Sequence, residues 1–327
     1  MKITIEDIAK ISNTSKSTVS RYLNNGSVSQ KTAKNIKKAI KKTGFQINVS
    51  ASRLKKNKSN LIGVLYEGFE SISVSNMLSG INDELKTLNY QPFIMLDKVE
   101  EKERLKNVKA LVKQGVDGII FGTSTMTNEQ LKYLSQLEVP VIIIGQKSNT
   151  IPYRKVNDYK ASYDLGKYLG KNKYTKILFL TRPKADKAIG QERVQGFIDG
   201  IDIKQNNIKF KILTTKFSIK DAYDKTSEIF PKFHPDLIIG ATDKMAMGAI
   251  WYLNMHNIKI PKETAVAGFG NYDYDEVLSP SLTSVSFDYF KLGKDAAKSI
   301  VALIDKKKIK QANEDFYIKI IPRESTL

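Results

Sequence analysis

The stretch TIEDIAKISNTSKSTVSRYLNN, residues 4–25, contains two short helical patterns separated by a three-residue break. Thr4 stands three residues before Asp7, and apolar residues follow Thr4 at helical spacing from Ile5 to Ile11, which is typical of a capped helix. Ser12-Asn13-Thr14 interrupts that pattern, and asparagine is one of the few non-glycine residues that tolerate a positive φ. The stretch therefore predicts two helices joined by a tight turn.

A third helix follows the first two. Ser15 is the predicted cap of the second helix, which runs to about Leu23 and turns Val19 inward. The third helix is predicted to begin near Ser29 and to stop at Gly44. Three short helices joined by a tight turn form a helix-turn-helix, whose second helix enters the major groove of DNA by its N-terminal end.

The polar side chains of this segment fall into two predicted groups. Lys16, Ser17 and Arg21 project from the second helix and are predicted to read base edges. Short donors suited to phosphate oxygens are predicted to fix the position on DNA; they are Thr4, Ser15, Thr18, Ser20, Asn24, Ser29 and Thr32. The alternative for each hydroxyl is a helix cap or a contact with solvent.

The charge and the composition of the chain limit the class of its binding partner and its cellular compartment. Residues 1–60 carry a net charge of +12, out of +19 for all 327 residues. This concentration of positive charge favours a nucleic-acid-binding module. From charge alone, a lysine-rich surface in contact with solvent explains it equally well. The chain has no cysteine, begins without an apolar secretory signal, and contains no apolar run near the roughly 20 residues that a membrane helix needs. We therefore expect a cytoplasmic protein without a membrane segment.

The rest of the chain alternates apolar runs with amphipathic segments. The helical patterns include residues 128–137 and 243–256. Such alternation predicts doubly wound parallel sheets with a ligand at the carboxyl ends of the strands. The predicted strands are LIGVLY, QPFIML, GIIFG, VIIIG, KILFL, KFKILTT, LIIGA, TAVAGF and FYIKII.

The chain resembles the lactose-repressor (LacI/GalR) family of bacterial transcription regulators. The resemblance lies in residues 4–25, in VSQKT (residues 28–32) and in FQINVSASRL (residues 45–54), and it continues through the body. Three positions depart from the family pattern. Ser12-Asn13-Thr14 replaces Ala-Gly-Val, Phe45 replaces a tyrosine, and Ile47 replaces a proline.

The resemblance implies a domain organisation and a dimer. Residues 1–46 would be an all-α helix-turn-helix domain and residues 47–60 a hinge helix and linker. Residues 61–327 would be an α/β effector-binding and dimerisation domain like periplasmic binding proteins, with lobes at about 61–160 and 161–327 and crossovers near the end. In a homodimer bound to operator DNA, Ala51 and Leu54 would enter the minor groove and kink it.

The resemblance also places an effector site between the two lobes. Arg193, in GQERVQGF, matches an arginine that forks onto sugar hydroxyls. The other implied effector residues are Asp243, Thr242, Phe217, Asn157, Asp158, Gln146 and Tyr289. The alternative for Asp243 is that it caps a helix, which is as well supported as a ligand contact. The alternative for Phe217 is a place in the hydrophobic core, which is more common for a lone phenylalanine. Gly270 and Asn271 stand where many members have a sugar-binding aspartate, and Gly145 stands where others have a polar ligand.

Within the family, the segments 156–169, 186–197 and 267–273 look most like the sucrose-operon repressors. The effector would then be sucrose, fructose or a phosphorylated derivative, with Lys187 or Arg193 as candidate phosphate contacts. One alternative is a global catabolite regulator of the same family that uses a phosphocarrier protein as co-repressor.

An enzyme or a free sugar-binding protein on the same α/β fold is a weaker alternative. No nucleotide-loop or nucleophile-elbow motif occurs in the sequence, and His234 and His256 are the only histidines. We predict no catalytic residue, no cofactor and no metal.

Overall fold

The computed structural model describes residues 3–23, 26–45, 58–67, 71–96, 101–203 and 207–326. The chain divides into two compact units, Met1–Ser59 and Asn60–Leu327. Within the described ranges, no helix has the length and the apolar character needed to cross a membrane.

The first unit contains the three predicted helices. They are α1 (Ile5–Ile11), α2 (Lys16–Leu23) and α3 (Gln30–Thr43). Asn13 has a φ of 50° between α1 and α2, as its residue type predicted. Ile8, Val19 and Ile36, one from each helix, are fully buried and form the centre of a small core.

The ends of these helices are fixed by local hydrogen bonds. The Thr4 hydroxyl accepts from the Asp7 amide at 3.3 Å, and the Asp7 carboxylate accepts from the Thr4 amide at 2.9 Å. Gly44 ends α3 with a φ of 64°, a left-handed conformation that suits glycine. The predicted helix boundaries are thus confirmed.

The second unit has two lobes, each built on a six-stranded sheet. The strands are β1 Leu61–Tyr66, β2 Gln91–Leu96, β3 Gly118–Gly122, β4 Val141–Ile144, β5 Tyr153–Arg154, β6 Lys176–Thr181, β7 Lys209–Thr214, β8 Leu237–Gly240, β9 Ala265–Gly270, β10 Thr283–Phe287, β11 Ala312–Asn313 and β12 Tyr317–Ile321. The first sheet has the order β11-β5-β4-β3-β1-β2, and the second has the order β12-β10-β9-β8-β6-β7. All neighbouring strands are parallel except β12, which runs antiparallel to β10.

Helices cover the faces of both sheets. They are α4 Ile72–Thr87, α5 Glu101–Lys113, α6 Asn128–Ser135, α7 Asp158–Leu169, α8 Arg193–Ile201, α9 Ile219–Phe233, α10 Asp243–Met255, α11 Tyr274–Val277 and α12 Tyr289–Ile304, with a π-helical turn at Lys187–Glu192 before α8. The apolar runs form the central strands because their side chains are buried on both faces; every residue of β3 is buried.

The chain passes between the lobes three times, which refines the predicted lobe boundary. It leaves the first lobe after β5, returns after β10 to form α12 and β11, and crosses again to form β12. α12 belongs to the first lobe because it packs on α4. A Cβ on Gly80 would lie 2.1 Å from the Phe290 carbonyl oxygen, so the two helices approach at backbone distance.

Candidate functional sites

The predicted base-reading residues lie together on the exposed side of α2. Lys16, Ser17 and Arg21 are all exposed. The Lys16 ammonium lies 3.7 Å from Glu6, with the two side chains 66% and 63% exposed, so this ion pair holds the lysine only weakly. A Cβ on Gly26 would lie 2.6 Å from the Arg21 Cγ. A glycine at position 26 therefore allows the chain to pass close to the stem of Arg21.

Several predicted phosphate-binding hydroxyls also stabilise helix ends. The Ser15 Oγ accepts from the Thr18 amide at 3.2 Å, and the Ser29 Oγ accepts from the Thr32 amide at 3.3 Å. The capping alternative is therefore observed for Ser15 and Ser29, as it is for Thr4. Asn24, Ala51 and Leu54 lie outside the described residues.

A cavity of about 670 Å³ opens in the second unit at the carboxyl ends of both sheets. Its volume is in the range of pockets for small ligands, and its position is the one that doubly wound sheets favour. Both lobes contribute side chains that follow directly after their strands. Polar and aromatic lining residues include Tyr66, Glu67, Thr123, Ser124, Gln146, Lys155, Asp158, Arg182, Asp186, Arg193, Phe217, Thr242, Tyr272, Tyr274 and Tyr289.

Arg193 lines this cavity and is held by several contacts with the protein. Its Nε donates to the Asp158 Oδ1 at 2.8 Å, and its Nη1 donates to the Ala241 carbonyl at 2.6 Å. The guanidinium also lies 5.0 Å from the ring centre of Phe269 and 5.2 Å from that of Phe287. These contacts fix the direction of the guanidinium without a ligand.

A buried lysine that sequence reasoning missed completes this charge cluster. Lys155, in the crossover after β5, is 2% exposed, and its Nζ lies 2.6 Å from Glu192 and 3.1 Å from Asp158. Burial alone would raise the pKa of Asp158, but Arg193 and Lys155 hold it below its usual value. The carboxylate therefore stays ionised. A lysine directly before the segment VNDYKAS was the only sequence signal for this position.

The structure brings most of the implied effector residues into the cavity lining. Arg193, Asp158, Gln146, Phe217, Thr242 and Tyr289 line it. Asn157 is not in the lining, and its side chain caps α7 by accepting from the Lys160 amide at 3.0 Å.

Asp243 is not in the lining either, and the capping alternative is also wrong, because Thr242 holds the cap position of α10 and the Asp243 carboxyl bonds elsewhere. It is fully buried, and it accepts from the Ser284 hydroxyl and the Asn271 amide, both at 2.7 Å. Burial and the neighbouring carboxyl of Asp275 raise the pKa of Asp243 well above its usual value.

The position of Asp243 explains the departure at Gly270. A Cβ on Gly270 would lie 2.4 Å from the Asp243 Oδ2, and Gly270 has a φ of +147°. A side chain there would collide with the buried carboxyl, so the chain cannot carry an aspartate at position 270 without moving Asp243.

Arg182 and Asp186 are further lining residues that sequence reasoning did not single out. The Arg182 guanidinium lies 4.4 Å from the ring centre of Phe217, which places Phe217 on the rim rather than in the core. Asp186 is 3% exposed, and its burial raises the pKa of this carboxyl to about 6. Its Oδ1 accepts from the Ile189 amide at 3.0 Å at the start of the π-helical turn. Such turns recur at functional sites.

Comparison with known proteins gives matches over both units. Residues 4–48 match the family described as bacterial regulatory proteins, lacI family. Residues 59–321 match the family described as periplasmic binding proteins and sugar binding domain of LacI family.

Individual relatives match along almost the whole chain. The sucrose operon repressor of Staphylococcus xylosus is 32% identical, covering 94% of this chain and 95% of that protein. Catabolite control protein A of Priestia megaterium is 25% identical, with 100% of each chain covered. A solved structure of the lac repressor dimer bound to operator and the anti-inducer ONPF has a TM-score of 0.90 at 20% identity, with 100% of each chain covered. At that identity the structural match supports the fold.

Proposed function

The chain belongs to the lacI family of bacterial regulatory proteins, and we propose that it is a homodimeric repressor of a carbohydrate operon, of the sucrose type, which a sugar or sugar phosphate releases from its operator. The observation that carries this proposal is the cavity between the lobes, in which Arg193 is held in one direction by Asp158 and Ala241. A fixed guanidinium suits paired oxygen atoms on neighbouring carbons of a sugar.

The DNA-binding part of the proposal assigns roles by domain. Residues 1–46 bind the operator, residues 47–60 form the hinge, and residues 61–327 bind the effector and form the dimer. Lys16, Ser17 and Arg21 read bases, which is supported by their exposure on one side of α2. The protein acts without catalysis, in the cytoplasm where the operator is.

The coupling between the two functions follows from the crossovers. Ligand contacts come from both lobes, and the lobes are joined by chain segments next to the cavity, including the one that holds Lys155. A ligand that favours the closed arrangement changes the position of the first lobe, to which the hinge connects. Such coupling has a typical free energy of about 1–3 kcal/mol.

A second candidate function is global catabolite control with a phosphocarrier protein as co-repressor. It is supported by the similarity to catabolite control protein A, which covers the full chain. The identity to that protein is 25%, compared with 32% to the sucrose operon repressor. A pull-down of the purified chain with a phosphorylated phosphocarrier protein separates the two functions, because only the second candidate predicts retention.

The decisive experiment is a titration of the full-length protein on a selected palindromic operator with a panel of sugars and sugar phosphates. The proposal predicts that one of them lowers the affinity for the operator in a saturable way. A ligand that tightens the complex instead would make the effector a co-repressor. No response to any member of the panel would contradict a sugar-released repressor.

A further inference from the structure

The two walls of the cavity differ in how their polar atoms are satisfied. On the first-lobe wall, the Glu67 carboxylate accepts from the Thr123 hydroxyl at 2.7 Å and from the Ser124 amide and hydroxyl at 3.1 and 2.7 Å. Buried Arg104 pairs with Glu67 at 2.8 Å. Gln146 donates to the Ser124 carbonyl at 2.6 Å. The polar groups of this wall therefore already bind one another.

The second-lobe wall has unsatisfied polar atoms. Among the described residues, four that line the cavity carry a buried side-chain atom without a hydrogen-bond partner, and all four belong to this lobe: Arg182 (Nε), Asp186 (Oδ2), Thr242 (Oγ1) and Tyr274 (Oη). A buried polar group without a partner lowers the stability of the folded protein. A ligand can become their partner when these side chains turn slightly toward the cavity, so this wall is the place where a ligand gains most from polar contacts.

The chemistry of these four atoms favours hydroxyl groups. The Arg182 Nε only donates, an ionised Asp186 only accepts, and the hydroxyls of Thr242 and Tyr274 do both. A sugar hydroxyl donates and accepts, so neighbouring hydroxyls can satisfy all of them. A phosphate dianion offers acceptor oxygens and a negative charge, which Asp186 would repel.

Two of the cations that line the cavity are already paired, and the charge of a third, Arg182, is offset by the neighbouring Asp186 carboxylate. The ammonium of Lys155 lies 2.6 Å from Glu192, and the guanidinium of Arg193 lies 2.8 Å from Asp158. Each of these two cations has a carboxylate partner. Lys244 also lines the cavity and is engaged in an interaction of its own.

We propose that the cavity selects an uncharged, non-phosphorylated sugar and that Asp186 is the residue that excludes the phosphorylated form. Arg182, stacked on the rim residue Phe217, donates to the same ligand beside it. This inference rests on the proposed function, since it names the chemical class of its effector. Asp186 is suited to this role because the Ile189 amide holds its Oδ1 and leaves its Oδ2 without a partner.

Isothermal titration of the full-length protein with matched pairs tests the inference. The pairs are sucrose and sucrose 6-phosphate, fructose and fructose 6-phosphate, and glucose and glucose 6-phosphate. For the pair that contains the effector, we expect the uncharged member to bind at least tenfold more tightly. Asp186→Asn should weaken the uncharged member and reduce that preference at least fivefold, because asparagine removes the charge that repels the phosphate.

Asp288→Asn is the matched control. Asp288 also caps a helix through an amide three residues later, at 2.8 Å, and it does not line the cavity. It should keep the wild-type preference, and thermal melts should show that both variants are folded. Equal or tighter binding of the phosphate by the wild type, or an unchanged preference in Asp186→Asn, would overturn the inference while the sugar-released repressor still stands. Absence of binding by every member, with no operator release, would overturn both.

Discussion

Arg193 and Asp158 form a buried ion pair, with the guanidinium Nε 2.8 Å from the carboxylate Oδ1 and the side chains 4% and 2% exposed. Asp158 begins α7 and Arg193 begins α8, so this pair also ties together the two helices that meet behind the cavity. The residue proposed to bind the ligand is therefore part of the framework of the second lobe.

The first prediction concerns the two roles of Arg193. Arg193→Ala should lower the free energy of unfolding of the second unit by about 3 kcal/mol, because it leaves a buried carboxylate with only Lys155 as a partner. Arg193→Lys keeps the charge and should be closer to wild type in stability, yet it loses the forked geometry. Chemical denaturation and operator release by the effector measure the two roles separately.

For Arg193→Lys we expect operator affinity within about twofold of wild type and at least tenfold more sugar needed for release. Loss of operator binding as well would indicate a folding defect. Release at the wild-type sugar concentration would remove Arg193 from the effector site.

The second prediction concerns a glycine beneath the cavity. A Cβ on Gly122 would lie 1.8 Å from the ring of Tyr66, which lines the cavity from the first lobe. Gly122→Ala should displace this ring and weaken effector binding, while operator binding by the first unit is retained. The double variant Gly122→Ala with Tyr66→Ala provides the room that the methyl group needs. It should be more stable in thermal melts than Gly122→Ala alone, and the opposite order would contradict the steric explanation.

Several elements of the fold were predictable because their signal is local. The turn at Asn13, the Thr4 cap and the stop at Gly44 each depend on the conformational preference of one residue, and all three are observed. The nine predicted strands are apolar runs, and all nine are observed. β5 and β11 have two residues each and were missed because so short a strand has no periodicity. β10, TSVSF, was missed because its serines are buried by neighbouring elements that a local pattern does not contain.

The residues of the candidate site were predictable only at positions that match a motif of the family. Arg193 and Asp158 were found through that resemblance. Lys155 and Arg182 lie outside the quoted segments, and Asp186 opens the segment 186–197 but was assigned no role there. Their importance depends on which charges the fold places beside them, and the sequence does not contain those distances. The buried Asp243 carboxyl and the Gly270 departure are similarly one feature in space and two unrelated positions in sequence.

The third prediction is a pH dependence from Asp186. Burial raises the pKa of its carboxyl from 3.8 in the unfolded reference to about 6 in the folded protein. Between these two pH values the folded state keeps a proton that the unfolded state loses. The stability that the protonated Asp186 carboxyl contributes is therefore fully present below pH 3.8 and is lost as pH rises through about 6. At 1.36 kcal/mol per pKa unit, the total loss is at most about 3 kcal/mol.

Asp186→Asn cannot ionise, and asparagine also caps helices well. It should raise the thermal midpoint relative to wild type at pH 7.5 and lose most of that advantage at pH 4.5. Asp243 remains in both proteins, so its own titration cancels in the difference between the two melting curves. A difference that does not change with pH would contradict the burial effect at Asp186.

The fourth prediction tests base reading by Arg21. Arg21→Ala should cost about 1–3 kcal/mol per subunit on the cognate operator and relax discrimination at one base pair. Lys41→Ala, at an exposed position in the last turn of α3, is the control and should leave discrimination unchanged. Wild-type binding should weaken steeply with salt because phosphate contacts release counterions. Unchanged affinity of Arg21→Ala in gel shifts, or a flat salt response of the wild type, would contradict the proposed interface.

The fifth prediction concerns Leu54, which lies outside the described residues and which the family pattern places in the minor groove. A leucine from each subunit that enters one base step unstacks it and bends the DNA, and the bend is gained only when both hinges are paired on the operator. Leu54→Ala removes the side chain that is proposed to act as the wedge. We expect lower operator affinity and a smaller bend angle in circular-permutation gel shifts, with unchanged sugar binding in calorimetry. Lys55→Ala, the next residue along, should reduce affinity only through salt-dependent phosphate contacts and keep the bend. If Leu54→Ala keeps the wild-type bend, Leu54 is part of a linker and the kink has another cause.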